Sequence, residues 1–263
     1  MSAWKRANSR ELVTPGKKRN VKFVVAYDGT QYCGWQVQKS GQTIQGTIEK
    51  ALERILGTPT KIIGSGRTDA GVHASGQVAN CRPEKDILPG DLLRALNALL
   101  PADIRLLQAT EVTFDFHAQK QAVEKEYVYR IYTGKVLPPF LRYTFHHEKY
   151  PMDFHGMQEG AGYFLGPHEF TSFCSAGASV KNKTRTVTVS RLTRRGHRVV
   201  YRIRANGFLW HMVRNIVGTL LEIGQGRMAA RDIPVILKKK DRAMSGPTAP
   251  PRGLMLTRVF YPG

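Results

Sequence analysis

The chain has 263 residues, of which 41% are hydrophobic and 23% charged, a balance typical of a folded globular protein. It carries 40 Lys and Arg against 20 Asp and Glu, so its net charge is +20 and its pI is near 10.2. It has no apolar run of the roughly 18 residues that a membrane-spanning helix needs, no secretory signal and no zinc-type C-x-x-C or H-E-x-x-H motif, which argues against membrane, secreted and zinc proteins.

The positive charge is clustered along the chain. Residues 178–204 contain nine Lys or Arg and no Asp or Glu, and smaller clusters occur at 17–19 and 238–240. A folded domain this basic usually binds a polyanion, so we expect nucleic acid as the partner. A membrane surface fits less well, because no basic amphipathic helix with a clean apolar face is present.

The three cysteines, Cys33, Cys81 and Cys174, are odd in number and far apart in the sequence. This spacing argues against a disulfide framework and is typical of a reducing compartment. We therefore expect a cytoplasmic protein.

The first half of the chain begins with a polar, basic segment, residues 1–20, which we interpret as a disordered tail. Periodicity and turn residues then predict a strand (21–29), a helix ending at a Gly57 C-cap (43–57), two strands flanking a glycine-rich loop (60–66 and 77–82), a helix (89–101) and a strand (103–112). We assign these elements to an N-terminal α+β domain, residues 21–113.

The second half repeats this mixture of strands and helices. The predicted elements are a strand (125–133), a helix (153–166), two strands around Arg195-Gly196 (184–205), a strongly apolar helix (207–226), a further helix (231–241) and a final strand (254–261). We assign them to a C-terminal α+β domain, residues 114–263. The predicted class is therefore α+β: two tandem, sandwich-like halves with mixed or antiparallel sheets.

The glycine-rich loop holds a single carboxylate, Asp69, two residues after Arg67. An aspartate in such a turn usually caps a backbone N–H, and that role is one interpretation. The alternative is a loop that presents one charged group to a substrate. A phosphate-binding P-loop is excluded, because the motif is absent and a strand follows where a helix is required. His73 lies four residues further on and is typical of a core or loop histidine.

Two other segments combine unusual residues with regular spacing. Arg214 lies within the apolar helix. It either faces solvent or is buried because its charge has a functional role. Tyr127, Tyr129 and Tyr132 are assigned to one face of a strand, either as packing residues or as a surface on which a base stacks.

Six segments together carry a family resemblance: YDGTQYCGWQVQ (27–38), GRTDAGVHASGQV (66–78), KEYVY (125–129), GPHEFTSFC (166–174), NGFLWHMVRNIVG (206–218) and PPRGLML (250–256). In this order they resemble the TruA family of tRNA pseudouridine synthases, and the similarity covers residues 21–261. One difference is Gln119, where the family pattern has an arginine, which puts an RNA contact at that position in doubt.

The resemblance implies an isomerase that converts uridine to pseudouridine at positions 38–40 of the tRNA anticodon stem-loop. It implies homodimers in which the two α+β halves meet at a basic cleft for tRNA, with no metal and no organic cofactor. Asp69 matches the catalytic aspartate, and Tyr127 and Arg214 match the residues beside it.

The same resemblance suggests substrate-binding residues around the loop. Arg67 is expected to replace the extruded nucleotide or hold its phosphate, and Tyr127 to stack on the flipped uracil. His73 and Gln77 are expected to contact substrate. The loop glycines are expected to let the backbone approach RNA closely, and the basic strands at 184–205 to contact the RNA backbone. Two alternatives remain: a non-catalytic RNA-binding protein, and a pseudouridine synthase for another RNA.

Overall fold

A computed structural model describes residues 18–177 and 180–262 of the chain. It has ten strands and five α-helices among these residues. The strands are β1 (Asn20–Tyr27), β2 (Ile62–Gly64), β3 (His73–Cys81), β4 (Ile104–Val112), β5 (Glu124–Tyr132), β6 (His146–His147), β7 (Gly166–Glu169), β8 (Thr184–Arg195), β9 (Arg198–Ala205) and β10 (Leu254–Phe260). The helices are α1 (Ile44–Leu56), α2 (Pro89–Leu99), α3 (Phe154–Gly162), α4 (Met212–Gly224) and α5 (Ile233–Lys239).

The described strands join edge to edge in one mostly antiparallel sheet. Its order is β4-β1-β3-β10-β5-β9-β8-β7, with β2 added beside β3 and β6 beside β5. The strands of the first half and those of the second meet where β3 pairs with β10 in parallel, Met255 opposite His73 and Leu256 opposite Ala74. The α+β class with antiparallel and mixed pairing is thereby confirmed, and the two predicted halves share a continuous sheet. The predicted domain boundary between residues 113 and 114 separates the strands on one side of the β3–β10 pairing from those on the other. It stays a prediction.

One face of the sheet packs against the helices and forms the core. Alternate residues of β1 and β9 are buried on this face, including Phe23 and Tyr201, and they join one cluster with helix residues such as Ile48, Leu92 and Ile216. The opposite face carries the partly exposed residues of the same strands. The period of two read from β9 is therefore confirmed, because inward and outward side chains alternate along an extended strand.

Helix termini follow the local sequence. Thr43 caps α1 by accepting a hydrogen bond from the Gly46 N–H, and Gly57 ends the helix in the left-handed conformation, with φ of 77°. Asp91 lies in the first turn of α2, where a negative charge is favourable. The Gly57 C-cap prediction is confirmed.

The structure corrects several predicted boundaries. The predicted tail, 1–20, lies outside the described residues except for its last three, and Asn20 is not tail but the first residue of β1. Its buried side-chain amide donates to the carbonyl of Phe116, and its amide oxygen accepts from Asn80, so the core fixes its position. β3 begins at His73, four residues before the predicted strand at Gln77.

The helical predictions in the second half were too long. The apolar helix begins at Met212 rather than at residue 207, because His211 adopts the left-handed backbone conformation, with φ of 60°. The helix predicted over 231–241 is a 3₁₀ turn followed by the short α5. The helix predicted over 153–166 ends at Gly162, and Gly166 already begins β7, which the sequence patterns did not reveal.

Helix α4 lies unusually close to the segment that leads into β10. A Cβ atom added at Gly218 would lie 1.6 Å from the Pro247 carbonyl oxygen. The Gly246 N–H donates to the hydroxyl of Thr219, and the Ala249 N–H donates to the carbonyl of Arg214. Glycine is therefore required at position 218 for this contact.

We expect Gly218→Ala to lower the stability of the fold by about 1–3 kcal/mol, because the added methyl group overlaps backbone that has no room to move. Gly162→Ala is the matched control, since Gly162 also lies in a helix and its Cβ would meet nothing within 4 Å. Thermal unfolding followed by circular dichroism measures both. A melting temperature of Gly218→Ala equal to that of the wild type contradicts the close contact.

Candidate active site

A cavity of about 1200 Å³ opens beside the junction of the two halves. The loop between β2 and β3, the start of β5 and the segment that enters α4 provide most of its walls. Asp69, Tyr127 and Arg214 all line it, as does Arg67. The structure thus brings together four of the six residues singled out from the sequence.

Asp69 and Arg214 form an ion pair in this cavity. The Nη1 group of Arg214 donates to Oδ2 of Asp69 at 3.1 Å. The aspartate side chain is 28% exposed and the arginine 14%, so solvent screens the pair only in part. Oδ1 of Asp69 accepts no hydrogen bond from the described residues.

Arg214 is fixed in place by the backbone around it. Its Nε group donates to the Ala249 carbonyl at 2.8 Å, and its own carbonyl accepts from the Ala249 N–H at 3.1 Å. Its neighbours in α4, including Val213 and Ile216, are buried. The solvent-facing interpretation of Arg214 is therefore wrong, because the guanidinium points into the cavity and uses two of its N–H groups on fixed partners.

Buried polar groups form hydrogen bonds with the loop that carries Asp69 and with the residues next to it. The buried Gln77 side chain donates to the Gly66 carbonyl and accepts from the Ser65 hydroxyl at 2.6 Å. Thr68 shares a hydrogen bond of 2.8 Å with the Tyr27 hydroxyl, and its carbonyl accepts from the Trp35 N–H. These contacts fix the backbone that leads into Asp69.

Two glycines of the glycine-rich segment, Gly64 at the end of β2 and Gly76 in β3, accommodate neighbouring parts of the protein itself. A Cβ atom at Gly64 would lie 2.4 Å from the indole nitrogen of Trp35, and one at Gly76 would lie 2.2 Å from the Thr257 carbonyl oxygen in β10. The close approach expected between these glycines and RNA is thus, at these two positions, an approach between protein segments.

His73 and Gln77 lie beneath the loop rather than in the cavity. The buried ring of His73 has Nδ1 within 3.2 Å of the Gly29 N–H and 3.1 Å of an Asp28 oxygen, and Nε2 within 3.1 Å of the Arg252 carbonyl. Both ring nitrogens already have protein partners. The expectation that His73 and Gln77 contact substrate stays a prediction, and the geometry places both as supports of the loop.

Tyr127 presents a buried aromatic ring at the cavity wall. Its ring meets Phe208 edge to face, with centroids 5.1 Å apart. Burial raises the pKa of the Tyr127 phenol well above its ordinary value, and the charges of Tyr27 and Asp69 raise it further. The hydroxyl is therefore protonated at neutral pH.

The predicted tyrosine stripe is only partly correct. Tyr127 and Tyr129 share the core face of β5, where Tyr129 is fully buried and donates to the Pro250 carbonyl. Tyr132 is on the opposite face, because its odd spacing from Tyr129 reverses the side-chain direction.

Besides Arg214, the cavity is lined by the cations Arg67 and Lys125. Arg67 is exposed at its rim and makes no hydrogen bond or ion pair with the described residues, and the exposed Gln119 also lines the rim. Lys125 lies in the wall, where burial, and secondarily the charge of Arg185, lowers the pKa of its amine.

The strand arginines other than Arg185 lie elsewhere. Arg202 and Arg204 both pair with the buried Glu126, at 2.6 Å and 2.9 Å, on the face of β5 opposite Tyr127. Arg191, Arg194 and Arg198 are exposed on β8 and β9. The basic strand pair therefore extends the positive surface away from the cavity.

Sequence reasoning missed His211, whose Nε2 lies 3.5 Å from Oδ2 of Asp69. It also missed Lys125, Phe208 and Trp210 as cavity residues. The only signal was position, since Phe208 and His211 precede Arg214 in a motif already singled out, and Lys125 is two residues before Tyr127 on the same strand.

Within the part of the chain that the structure describes, no group of three or more His, Cys, Asp or Glu side chains is arranged to hold a metal ion. The same residues include no helix that is long and apolar enough to cross a membrane.

Comparison with known proteins gives consistent matches over most of the chain. Residues 23–119 and 161–262 match the model of a family described as tRNA pseudouridine synthase. Proteins named tRNA pseudouridine synthase A are 46% identical over 244 residues in Acetivibrio thermocellus and 44% identical over 243 residues in Caldicellulosiruptor saccharolyticus. Each alignment covers 92% of this chain and 100% of the relative.

A third relative of the same name, from Exiguobacterium sibiricum, is 43% identical and covers 93% of this chain and 97% of its own length. A solved Cbf5-Nop10-Gar1 complex aligns at a TM-score of 0.37 and 15% identity, over 90% of this chain and 49% of that one, a likeness too weak to inform the fold or the site. The family model and the close relatives agree on one assignment, and the chain belongs to the tRNA pseudouridine synthase family.

Proposed function

We propose that this tRNA pseudouridine synthase isomerises uridine at positions 38–40 of the tRNA anticodon stem-loop, with Asp69 as its catalytic carboxylate. The observation that carries the proposal is the ion pair between Asp69 and Arg214, placed at the wall of a cavity that also holds the ring of Tyr127. A carboxylate held by a fixed cation keeps one orientation in the cavity, and a reaction at a sugar carbon depends on such positioning.

The reaction has a simple atom balance. The bond from C1′ to N1 breaks, a bond from C1′ to C5 forms, the hydrogen leaves C5, and N1 gains a proton. Nothing is oxidised or reduced. The carboxylate of Asp69 acts at the sugar, either by adding to C1′ or by taking the proton from C2′.

The two oxygens of Asp69 differ in their contacts, and the difference favours one of them for the reaction at the sugar. Arg214 and His211 both approach Oδ2, whereas Oδ1 accepts nothing from the described residues. A bonded oxygen has less free electron density for a substrate. We therefore assign Oδ1 as the oxygen that meets the sugar.

The target base must leave the stacked RNA stem before it can react, and this step suggests roles for the remaining residues. Tyr127 offers its ring to the flipped uracil, and such stacking contributes about 1–3 kcal/mol per base. The exposed Arg67 fills the vacated place in the stem or holds the adjacent phosphate. Arg214 orients Asp69, while His73 and Gln77 hold the loop.

The cavity suits one extruded nucleotide and its neighbours. Its volume of about 1200 Å³ exceeds the range for small-molecule pockets, about 300–1000 Å³. Arg67 and Lys125 provide positive charge at its wall for phosphates. The exposed arginines of β8 and β9 bind a more distant part of the tRNA backbone.

The protein is further proposed to be a homodimer in the cytoplasm. The segment between β5 and β6 exposes large apolar side chains, with Val136 78% exposed and Phe140 90% exposed. Side chains of this kind are commonly covered in an interface. A reducing compartment is supported by three free cysteines, of which Cys81 and Cys174 are buried.

Site mapping tests the substrate assignment. We expect the protein, incubated with unmodified transcripts of several tRNAs, to form pseudouridine at positions 38, 39 or 40 and nowhere else. Chemical mapping of pseudouridine at single-nucleotide resolution measures this. Modification elsewhere in the tRNA contradicts the anticodon stem-loop, and tRNA binding without product at any position favours the non-catalytic RNA-binding alternative.

Asp69→Asn tests the catalytic carboxylate. We expect the single-turnover rate to fall by at least about 10²–10⁴-fold, because the amide is a poor nucleophile and base, while tRNA affinity stays close to that of the wild type. Asp115→Asn is the control, because Asp115 is an exposed aspartate outside the cavity wall. Substantial turnover by Asp69→Asn excludes the proposed role of this residue.

Light scattering tests the dimer. We expect a solution mass of two chains, about 59 kDa, from the chain mass of 29.5 kDa. Phe140→Ser should shift the mass toward one chain, because it removes an apolar group from the proposed interface. Leu107→Ser is the matched control, since Leu107 is an exposed apolar residue on β4. A wild-type mass of one chain contradicts the proposal.

A further inference from the structure

The imidazole of His211 lies between a serine hydroxyl and the carboxylate of Asp69. Its Nδ1 is 2.8 Å from the Ser175 Oγ, and its Nε2 is 3.5 Å from Asp69 Oδ2. The Trp210 ring packs beside it, with ring centroids 4.8 Å apart. Ser175 and Asp69 thus contact the two ring nitrogens, and Trp210 packs against one side of the ring, within the wall of the cavity.

The backbone at His211 also has an uncommon conformation. Its φ is 60° and its ψ is 6°, and among the described residues other than glycine only Lys240 shares a positive φ. Such conformations are unfavourable for most side chains and persist where the surrounding structure imposes them. Here the left-handed residue turns the chain into α4 and directs the imidazole toward Asp69.

The protonation state of His211 follows from its surroundings. Burial lowers the pKa of the imidazole below its ordinary value, the Asp69 charge opposes this, and Arg214 and Arg242 reinforce it. The ring is therefore neutral at pH 7, with one nitrogen that donates and one that accepts. We place the proton on Nε2, because a carboxylate only accepts, and the Ser175 hydroxyl then donates to Nδ1.

We propose that His211 is a positioning residue for Asp69, oriented by Ser175. The inference rests on the proposed catalytic role of Asp69. Nε2–H and the Arg214 guanidinium hold the same oxygen from two directions, so the carboxylate cannot rotate about its last bond and Oδ1 stays turned toward the substrate. A neutral donor does this without placing a second full positive charge beside the carboxylate, so its reactivity is preserved.

Two substitutions test the two contacts of the imidazole, with Ser175 and with Asp69, one at a time. His211→Asn keeps a polar atom near the position of Nδ1, and asparagine tolerates the left-handed backbone. It retains the contact with Ser175 and loses the one with Asp69. His211→Gln extends an amide N–H to the position of Nε2, so it keeps a donor for Asp69 without a group that titrates.

The single-turnover rate at saturating enzyme distinguishes these variants. We expect His211→Asn to be slower by about tenfold, because Oδ2 of Asp69 loses one of its two polar contacts, with unchanged tRNA affinity. His211→Gln should recover most of the rate. Equal, wild-type rates in both variants overturn the proposal, and so does a loss in His211→Asn that is confined to tRNA affinity.

The pH dependence of the single-turnover rate distinguishes this role from a purely structural one, because a purely structural residue would leave the profile unchanged. The groups that face the ring are Asp69 from the loop, Arg214 from α4, Arg242 from the 3₁₀ turn after α5 and the Ser175 hydroxyl. Below its lowered pKa, His211 becomes a cation and places a second full positive charge beside the carboxylate of Asp69, so the wild-type rate falls on the acid side. His211→Gln should retain its rate to lower pH. An identical acid limb in both proteins contradicts the proposal.

An NMR titration of His211 tests the contact without any catalysis. In the Asp69→Asn variant the pKa of His211 should fall further, because the carboxylate that raises it is gone; the spectrum of His211→Asn assigns the signal. An unchanged pKa overturns the contact. Substantial turnover by Asp69→Asn removes the catalytic role of Asp69 and this proposal with it, whereas inactive Asp69→Asn beside fully active His211 variants overturns the role of His211 alone.

Discussion

The ion pair between Asp69 and Arg214 is the constraint on which the arrangement of the site depends. Its carboxylate comes from the loop between β2 and β3, and its cation from α4, 145 residues later in the chain. Two charges that are only partly exposed lose part of their hydration, and either one left without the other would be an uncompensated charge in the cavity wall. The pair forms only if the two halves of the chain are held in one relative position, and much of the unusual packing in this protein serves that end.

That position is set by close contacts between backbones. Gly76 lets β3 approach Thr257 in β10, and Gly218 lets α4 approach Pro247 in the segment that precedes β10. The same segment supplies the Ala249 carbonyl that accepts from Arg214. One stretch of chain therefore touches the strand next to the loop and the helix that carries the cation. An added methyl group at either glycine separates surfaces whose spacing determines the distance between the two charges.

The sequence predicted most elements and most of the site. Period-two alternation predicted β5, β8 and β9, and helical spacing predicted α1 and α2, because these signals are local. The shared sheet and the parallel pairing of β3 with β10 were not predicted, since pairing between distant strands leaves no local pattern. Asp69, Tyr127 and Arg214 were found through recognisable motifs, whereas His211 was missed, because its left-handed backbone and its contact with Ser175 depend on tertiary structure. His73 and Gln77 were chosen for their place in a motif, and the buried hydrogen bonds that occupy them can be seen only in three dimensions.

The place of β10 in the sheet also governs when the protein becomes functional during synthesis. This strand is made after the other nine described strands, yet it lies between β3 and β5 in the middle of the sheet. Domains fold as their residues emerge from the ribosome, and contacts between distant residues form late. Until residues 249–260 have emerged, Arg214 lacks the Ala249 backbone that fixes it, and β3 and β5 have no strand to join them. A nascent chain therefore exposes its positive charge well before it has a site able to act on RNA, and completion of the central strand is the step that couples binding to chemistry.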